Sequence, residues 1–155
     1  MLLKKAVSQQ VQLVSDIIND SKSYWQYDAD FTSKYNKLFG LNEDYIEKND
    51  VYIAYENNKI LGCYSFILED NSQLKLDKLF LKPEFIAKGN GRKLWNSCIE
   101  TAMNYGIKEF TFTSDPNAEG FYRQMGCEKI YERPAFLVSN LNISIFKKQL
   151  PIKTQ

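Results

Sequence analysis

The stretch from Leu74 to Gly126 constrains the fold of this chain more than any other part of it. It begins with alternating leucines, passes through a loop with two glycines into a segment of helical periodicity, and ends in a second short helical segment. Alternation of period two indicates a strand, and apolar residues three and four positions apart indicate a helix. A glycine loop between a strand and a helix is typical of an anion-binding site, because the first N–H groups of a helix have no partners within it.

The rest of the 155-residue chain extends this pattern of strands and helices. Hydrophobic periodicity and turn residues predict strands at 2–7, 51–56, 59–68, 73–82, 107–113, 127–132 and 142–149. They predict helices from Ser8 to about 19, from Asp30 or Thr32 to Gly40, from Asn42 to Asn49, and at 91–105 and 117–125. No repeat or linker interrupts the chain, so we interpret residues 1–155 as one α+β domain.

The alternation of the fourth strand slips by one residue. Leu74 and Leu76 keep period two, but the next leucines are Leu79 and Leu81, with Asp77 and Lys78 between the pairs. A β-bulge produces such a slip, because one extra residue reverses the facing of those that follow. The alternative is a strand covered on both faces, for which strict alternation never applies. A bulge would also leave backbone N–H groups without a sheet partner and able to bind a ligand.

Charge and composition exclude several classes of function. The chain has 20 basic and 19 acidic residues, and this balance favours neither nucleic-acid nor membrane-surface binding. The N-terminal MLLKKAV lacks the pattern of a signal peptide, and no apolar run approaches the roughly 20 residues of a membrane span, so we expect a cytoplasmic protein. Histidine is absent, so acid–base chemistry must use carboxylates, tyrosine, lysine or water.

Three cysteines, Cys63, Cys98 and Cys127, are spread along the chain. An odd and dispersed set argues against a disulfide framework and against a zinc site. Each cysteine has apolar neighbours in the sequence, so we expect three buried thiols and no bound metal.

The glycine loop is the candidate anion site. It reads Ala87-Lys88-Gly89-Asn90-Gly91-Arg92, and Lys88, Arg92 and Lys93 place positive charge in or beside it. Glycines let the backbone approach an anion closely, and the dipole of the following helix adds partial positive charge. The loop therefore suits a pyrophosphate, although an ordinary glycine turn before a helix has the same pattern.

Residues 74–126 resemble the Gcn5-related N-acetyltransferases (GNAT), which transfer an acetyl group from acetyl-CoA to an amine. The loop is similar to the family pattern Arg/Gln-x-x-Gly-x-Gly/Ala through Gly89 and Gly91, but Ile86 stands where Arg or Gln is usual. Asn117, Phe121 and Tyr122 match the family's Asn-x-x-x-Phe-Tyr pattern. The resemblance implies a three-layer α+β fold: a mixed, mostly antiparallel sheet of six to seven strands, flanked by about four helices and splayed between the fourth and fifth strands.

The resemblance also implies a donor site for acetyl-CoA, with no metal. The backbone of Leu79, Phe80 and Leu81 would pair with the pantetheine arm and direct an N–H at the thioester carbonyl, where it would stabilise an oxyanion. Backbone N–H groups of the loop would bind the pyrophosphate, through Ala87, Lys88, Gly89, Asn90, Gly91 and Arg92. Asn117 would hold the cofactor arm, and Tyr122 would protonate the leaving thiolate.

The general base is not determined by the resemblance. Relatives often carry a glutamate on the fourth strand at the position of Lys75, which cannot act as a base while charged. Asp77 is the nearest carboxylate, and a bulge could turn it inward. The alternative for Asp77 is a surface residue paired with Lys75 or Lys78. Glu69, Glu119 and a water chain are further candidates.

The acceptor is the least determined part of the function. We expect a small primary amine, held in part by the aromatic segment from Tyr24 to Tyr45. Two alternatives stay open: a non-catalytic CoA-binding module, which Ile86 and Lys75 favour, and a protein-lysine acetyltransferase. A homodimer through the last strand, 142–149, is a further possibility, although the alternation of that strand equally suits pairing within one chain.

Overall fold

The computed structural model describes residues 1–25, 29–135 and 142–151. The strands are β1 (Leu2–Lys5), β2 (Asp50–Glu56), β3 (Lys59–Leu68), β4 (Leu74–Leu81), β5 (Glu109–Ser114), β6 (Glu128–Pro134) and β7 (Asn142–Gln149). The α-helices are α1 (Val11–Tyr24), α2 (Ala29–Phe39), α3 (Glu43–Lys48), α4 (Asn90–Met103) and α5 (Glu119–Gln124). Short 3-10 turns lie at Ser8–Gln10, Pro83–Phe85 and Pro116–Ala118.

The strands form one mixed sheet in the order β1-β2-β3-β4-β5-β7-β6. Neighbouring strands are antiparallel except β4 and β5, which are parallel. The pairing of β4 with β5 is confined to Leu74 with Phe110 and Lys75 with Thr111, so the two strands diverge beyond this point. The predicted sheet and its splay are therefore confirmed. Strand β7 is paired on both sides within the chain, so it offers no free edge to a second copy.

Helices cover both faces of the sheet. On one face α1 and α3 pack on β2 and β3 through Val14, Ile17, Ile46, Val51, Ile53 and Cys63. On the other face α4 and α5 pack on the sheet through Leu94, Trp95, Cys98, Tyr122, Tyr64, Phe66 and Phe110. Full burial of a large apolar side chain contributes about 1.5–3 kcal/mol, so these two clusters hold the three layers together. The three-layer arrangement is the one that the family resemblance implied, with five described α-helices rather than about four.

A β-bulge interrupts β4 where the leucine pattern slips. Ser65 of β3 lies opposite Lys78 and Phe66 lies opposite Leu76, which leaves Asp77 as an extra residue without a partner on β3. The predicted bulge is confirmed. Because of it, Leu76 and Leu79 both pack against the α4 side of the sheet, and Lys78 turns to the α1 side with only 4% of its surface exposed.

Turn residues end several elements where the sequence predicted. Asn57 and Asn58 adopt φ of 51° and 65° in the β2–β3 hairpin, as a tight primed turn requires. Asn42 caps α3, and its side chain accepts a hydrogen bond of 2.7 Å from the backbone N–H of Tyr45. Gly106 follows α4 with φ of 69°. All three cysteines are buried free thiols, as expected.

Two predicted helix starts are wrong. Ser8 begins a 3-10 turn rather than a long helix, because the side chain of Gln10 accepts the N–H of Val7 and closes that turn first. The α-helix then begins at Val11.

The helix predicted to start at Asn117 instead begins with a 3-10 turn at Pro116, and α5 follows from Glu119. Asp115 caps this turn, since its carboxylate accepts the N–H of Asn117 at 2.8 Å. Proline favours the first position of a helical turn, so the residue before Pro116 takes the cap. Among the described helices, none combines the length and the apolar character that a membrane span needs.

Candidate functional site

A cavity of about 920 Å³ opens where β4 and β5 diverge. Its wall combines the free edge of β4, the glycine loop, the end of β5, and parts of α1, α2 and α5. The predicted site residues in this wall are Asp77, Leu79, Phe80, Leu81, Ala87, Gly89, Gly91, Arg92, Asn117 and Tyr122. The splay of the sheet thus brings the two predicted motifs to one space.

The β4 edge that faces this cavity lacks a strand partner. On its other side Leu79, Phe80 and Leu81 pair with β3, but beyond Lys75 no described residue of β5 reaches them. Backbone N–H and C=O groups on a free edge are able to add an extended ligand as a further strand. The edge is therefore the right kind of surface for an amide-containing chain.

The glycine loop has an unusual backbone. Ala87, Lys88 and Gly89 follow one another with φ of 78°, 61° and 79°. A left-handed conformation costs a non-glycine residue roughly 1–2 kcal/mol, and such strain is characteristic of ligand-binding segments. Gly89 begins α4 without a side-chain cap, so no side chain takes the first N–H groups of the helix. The loop is therefore arranged to receive an anion.

Asn90 and Gly91 hold this loop in place rather than reaching outward. The side-chain amide of Asn90 donates to the carbonyl oxygens of Phe85, at 2.9 Å, and Ala87, at 3.3 Å. Gly91 lies against α5, and a Cβ there would be 3.3 Å from Phe121 Cε2. Because Gly91 has no side chain, the glycine loop packs closely against α5, the helix that carries Tyr122.

Side chains in and beside the glycine loop differ in whether they bring positive charge to the cavity. Arg92 and the apolar Ile86 lie in the cavity wall, and Lys88 is exposed on the loop. Lys93 instead turns to Glu56, with its Nζ 3.7 Å from Oε1. The full positive charge beside the cavity at this end therefore comes from Arg92 and not from Lys93.

Tyr122 extends from α5 into the aromatic core at the cavity wall, with 8% of its surface exposed. Its ring centroid lies 4.5 Å from that of Phe112, 5.7 Å from that of Trp95 and 6.2 Å from that of Phe146. Burial raises the pKa of the Tyr122 hydroxyl above its ordinary value, so the group stays protonated in neutral and mildly alkaline solution. A phenol in this state is able to donate a proton.

Asp77 lies inside the cavity wall because of the bulge. Tyr45 donates its hydroxyl to Asp77 Oδ2 at 2.6 Å, and the same hydroxyl oxygen lies 2.8 Å from Ser65 Oγ. The ammonium groups of Lys75 and Lys78 lie 3.6 Å and 3.5 Å from the carboxylate. The side chain is 19% exposed, so the two expectations for Asp77 combine: it is turned inward and it is paired with both lysines.

Comparison with known proteins identifies the family. The sequence matches the family model described as an acetyltransferase (GNAT) domain over residues 7–140. The chain belongs to the GNAT acetyltransferase family. The resemblance seen over residues 74–126 is thereby confirmed and extends over most of the chain. Acetyl-CoA, the donor of the family, is accordingly its acetyl donor.

Solved structures share the GNAT fold. The PaiA N-acetyltransferase of Thermoplasma acidophilum, in complex with coenzyme A, is 16% identical, with a TM-score of 0.73 over 96% of this chain and 98% of that one. A GNAT acetyltransferase of Elizabethkingia anophelis with acetyl-CoA bound is 20% identical, with a TM-score of 0.60 over 70% and 80%. An aminoglycoside 6′-N-acetyltransferase complexed with coenzyme A is 10% identical, with a TM-score of 0.69 over the whole of both chains. No curated protein matches the sequence.

Two other carboxylates considered for the GNAT chemistry lie elsewhere. Glu119 accepts a hydrogen bond of 2.8 Å from Ser144 Oγ and lies 3.8 Å from Lys129 Nζ. Glu69 is exposed in the turn after β3, where its N–H donates to the carbonyl of Gln73. Neither glutamate is among the described residues of the cavity wall. Asp77 is therefore the remaining candidate base among the carboxylates named from the sequence.

Lys22 is a wall residue that sequence reasoning missed. Its Nζ lies 3.5 Å from the ring centroid of Tyr35, and only 8% of the residue is exposed. Burial lowers the pKa of Lys22 to about 8, an effect that the Lys78 charge adds to and the Asp115 charge opposes. Its position could have been found, since it follows the buried Ile18 by four residues and so shares the buried face of α1.

The aromatic segment expected to shape the acceptor end does reach the cavity. Trp25, Phe31, Tyr35 and Tyr45 all lie in its wall. Residues 26–28 of that segment, including Tyr27, lie outside the described residues. Burial and then the charge of Asp77 raise the pKa of both Tyr35 and Tyr45, so both phenols stay protonated beside the carboxylate.

Proposed function

We propose that this chain transfers the acetyl group of acetyl-CoA to a primary amine of a small molecule, by direct attack of the amine on the thioester. One observation carries the proposal: a single cavity joins the glycine loop, the free edge of β4, Tyr122 and Asp77. A small acceptor fits a recessed cavity whose far wall is aromatic.

The donor end would bind through backbone groups. The N–H groups of the loop from Ala87 to Arg92 would hold the pyrophosphate, and the strained loop and uncapped helix start support this role. The edge of Leu79 to Leu81 would hold the pantetheine arm, with Asn117 nearby in the wall. Bound acetyl-CoA supplies an acetyl group activated as a thioester.

Proton transfers would use Tyr122 and Asp77. A thiol leaving group has a pKa of about 8.5, so a phenol that keeps its proton is able to protonate the thiolate as it leaves. Asp77 would accept the proton that the attacking amine must lose, with Tyr45 orienting the carboxylate through the 2.6 Å hydrogen bond. The amine would thus approach from the side of the bulge.

A second candidate is a CoA-binding module without turnover. Ile86 places an apolar side chain in the wall where the family pattern has Arg or Gln, and Lys75 occupies the position of the usual glutamate. Both differences weaken contacts or chemistry that relatives use, and so favour binding without catalysis. Retention of Tyr122 and the inward turn of Asp77 favour the enzyme.

Two measurements separate these candidates. Thermal stability is measured with and without acetyl-CoA, and release of the CoA thiol is then followed against a panel of primary amines. We expect a rise in Tm with acetyl-CoA and amine-dependent thiol release that Tyr122→Phe diminishes. A rise in Tm without thiol release on any amine would select the binding module, and no rise in Tm would overturn both.

We further infer that residues 1–155 form one acetyltransferase domain that acts in the cytoplasm. Its cysteines are buried free thiols, which suits a reducing compartment. A homodimer would have to use a surface other than simple addition to β7, such as the outer strand β6. Size-exclusion chromatography with light scattering measures this directly.

A further inference from the structure

Two large apolar side chains in the cavity wall are exposed to solvent. Trp25, at the end of α1, is 43% exposed, and Leu38, near the end of α2, is 60% exposed. Single exposed apolar residues are common on protein surfaces, but apolar surface that lines a recessed cavity is typical of a ligand site. Trp25 and Leu38 are therefore candidates for contact with a bound ligand.

Helical spacing connects these two residues to the inner part of the wall. Trp25 follows the buried Lys22 by three positions, and Leu38 follows Tyr35 by three positions. Residues three apart are neighbours on one face of a helix. Lys22 Nζ lies 3.5 Å from the ring centroid of Tyr35, so α1 and α2 meet at this pair. Trp25 and Leu38 each lie about one helical turn from that contact, where the wall reaches solvent.

Aromatic rings continue from this contact to the candidate base. Lys78 Nζ lies 5.6 Å from the ring centroid of Tyr35 and 5.4 Å from that of Tyr45. The hydroxyl of Tyr45 in turn donates to Asp77. Both tyrosines belong to the cavity wall and are partly buried. The wall thus passes from a carboxylate, along two phenol rings, to exposed apolar side chains.

The charged side chains around Asp77 already make contacts within the protein. Lys75 Nζ and Lys78 Nζ lie 3.6 Å and 3.5 Å from the Asp77 carboxylate. The Lys22 ammonium lies on an aromatic ring, and the charge of Asp115 stabilises it. An acceptor with a second charged group would compete with these contacts, and a second ammonium group would also be repelled by the lysines. The wall therefore favours an acceptor that is apolar apart from its amine.

We propose that the acetyl acceptor is a primary amine joined by a short chain to an aromatic group, and that Trp25 and Leu38 contact that group. This inference rests on the proposed acetyl transfer to a small amine. The amine would face Asp77, and the aromatic group would extend along Tyr35 and Tyr45 toward solvent. Burial and ring stacking would supply affinity away from the reacting atoms, so Trp25 and Leu38 would determine specificity.

Binding of matched products tests the apolar wall without turnover. N-acetylphenethylamine is compared with N-acetylethylamine by calorimetry in the presence of CoA, since both compounds are uncharged and differ only in the phenyl group. We expect the Kd of the phenyl compound to be lower by about tenfold or more. Equal Kd values, or no binding by either compound, would overturn the proposal.

Variants locate the effect. Trp25→Ala and Leu38→Ala should each raise the Kd of N-acetylphenethylamine by about threefold or more, with a much smaller change for N-acetylethylamine. Leu68→Ala is the matched control, since Leu68 is 55% exposed but is not among the described residues of the cavity wall, and it should keep the full phenyl preference. A preference that both wall variants leave unchanged would overturn the assignment to Trp25 and Leu38.

Turnover distinguishes failure of this inference from failure of the proposed function. Thiol release is compared for phenethylamine, ethylamine and the polyamine spermidine at equal concentration. We expect the highest kcat/KM for phenethylamine, and Trp25→Ala should raise its KM with little change in kcat. Equal or higher kcat/KM for ethylamine or spermidine contradicts the aromatic acceptor and leaves the acetyltransferase intact. Preferential binding of the phenyl product with no thiol release from any amine supports the apolar site and contradicts the proposed reaction.

Discussion

The hydroxyl of Tyr45 donates a hydrogen bond of 2.6 Å to Oδ2 of Asp77 and so joins α3 to the bulge of β4. The two residues are 32 positions apart in the chain. A hydrogen bond to a charged group contributes about 1.5–3 kcal/mol, enough to hold the carboxylate in one orientation. The pKa of Tyr45 is raised by burial and by the neighbouring carboxylate, so the phenol remains the donor.

Replacement of the candidate base should change the pH dependence of the reaction. In Asp77→Asn the amine loses its proton acceptor, so we expect kcat/KM to fall by about 10²-fold at neutral pH. The loss should shrink in alkaline solution, where more of the acceptor amine is already neutral. The measurement is thiol release against pH with one amine, and an equal loss at every pH would remove Asp77 as the base.

Tyr45→Phe is the companion variant for Asp77. It keeps the carboxylate but removes the hydrogen bond that orients it, so we expect a smaller loss of kcat/KM than in Asp77→Asn. A larger loss would indicate that the phenol itself takes part in proton transfer.

Replacement of the candidate acid should affect chemistry and not donor binding. In Tyr122→Phe we expect kcat to fall by about 10²-fold, because the thiolate leaves without a proton donor. The rings around Tyr122 are kept, so the Kd for acetyl-CoA and the free energy of unfolding should change little. Calorimetry and urea unfolding measure these two quantities, and an unchanged kcat would assign Tyr122 to packing alone.

Alanine variants of two glycines distinguish a loss of stability through backbone strain from a loss of cofactor binding. Gly89 and Gly106 have φ of 79° and 69°, and a Cβ at either would meet no atom within 4 Å. Gly89→Ala and Gly106→Ala should therefore each lower the free energy of unfolding by a similar amount, about 1–2 kcal/mol. Only Gly89→Ala should also weaken acetyl-CoA binding, measured by calorimetry. Equal Kd values in the two variants would remove the loop from the donor site.

Lys22 should make stability depend on pH. Its pKa in the folded protein, about 8, lies below that of an unfolded lysine, about 10.4, so between these values the unfolded chain binds more protons. Stability contributed by this group therefore rises with pH from about 8 to about 10. Besides the desolvation that burial imposes, Lys78 and Asp115 set this charge balance, and the Tyr35 ring faces the ammonium.

Lys22→Met should accordingly stabilise the protein at pH 7, by an amount of order 1–3 kcal/mol. The gain should shrink near pH 10, where the wild-type lysine is mostly neutral. Urea unfolding at the two pH values measures both quantities. Destabilisation at both would mean that the contacts of the ammonium with the aromatic rings outweigh the cost of its burial.

Local patterns in the sequence were sufficient to predict much of the fold. The slip between Leu76 and Leu79 locates the bulge, and Asn57-Asn58 locates the hairpin, because strand alternation and positive φ are properties of neighbouring residues. The glycine loop is also recognisable from neighbouring residues alone, because its two glycines lie between a strand pattern and a helix pattern.

The proposed acceptor end depends on contacts between distant residues, which local sequence patterns do not predict. Nothing in the local sequence brings Tyr45 to Asp77, or both Lys22 and Lys78 to the ring of Tyr35, because α1, α2 and α3 meet β4 only in the folded protein. The two misplaced helix starts have a different cause. Ser8 and Asn117 are both favourable capping residues, but a neighbouring side chain accepts the backbone N–H group at each start. Gln10 accepts the N–H of Val7, and Asp115 accepts the N–H of Asn117.

In the proposed site, the divergence of β4 from β5 separates two parts that would differ in how readily they evolve. Main-chain groups are the same in every residue, so a donor site that uses a strand edge and a loop backbone would tolerate extensive divergence of side chains. An acceptor end made of side chains would change what it recognises after a single substitution. We therefore expect chains of this architecture to acquire new acceptors by point mutation, while the donor stays the same.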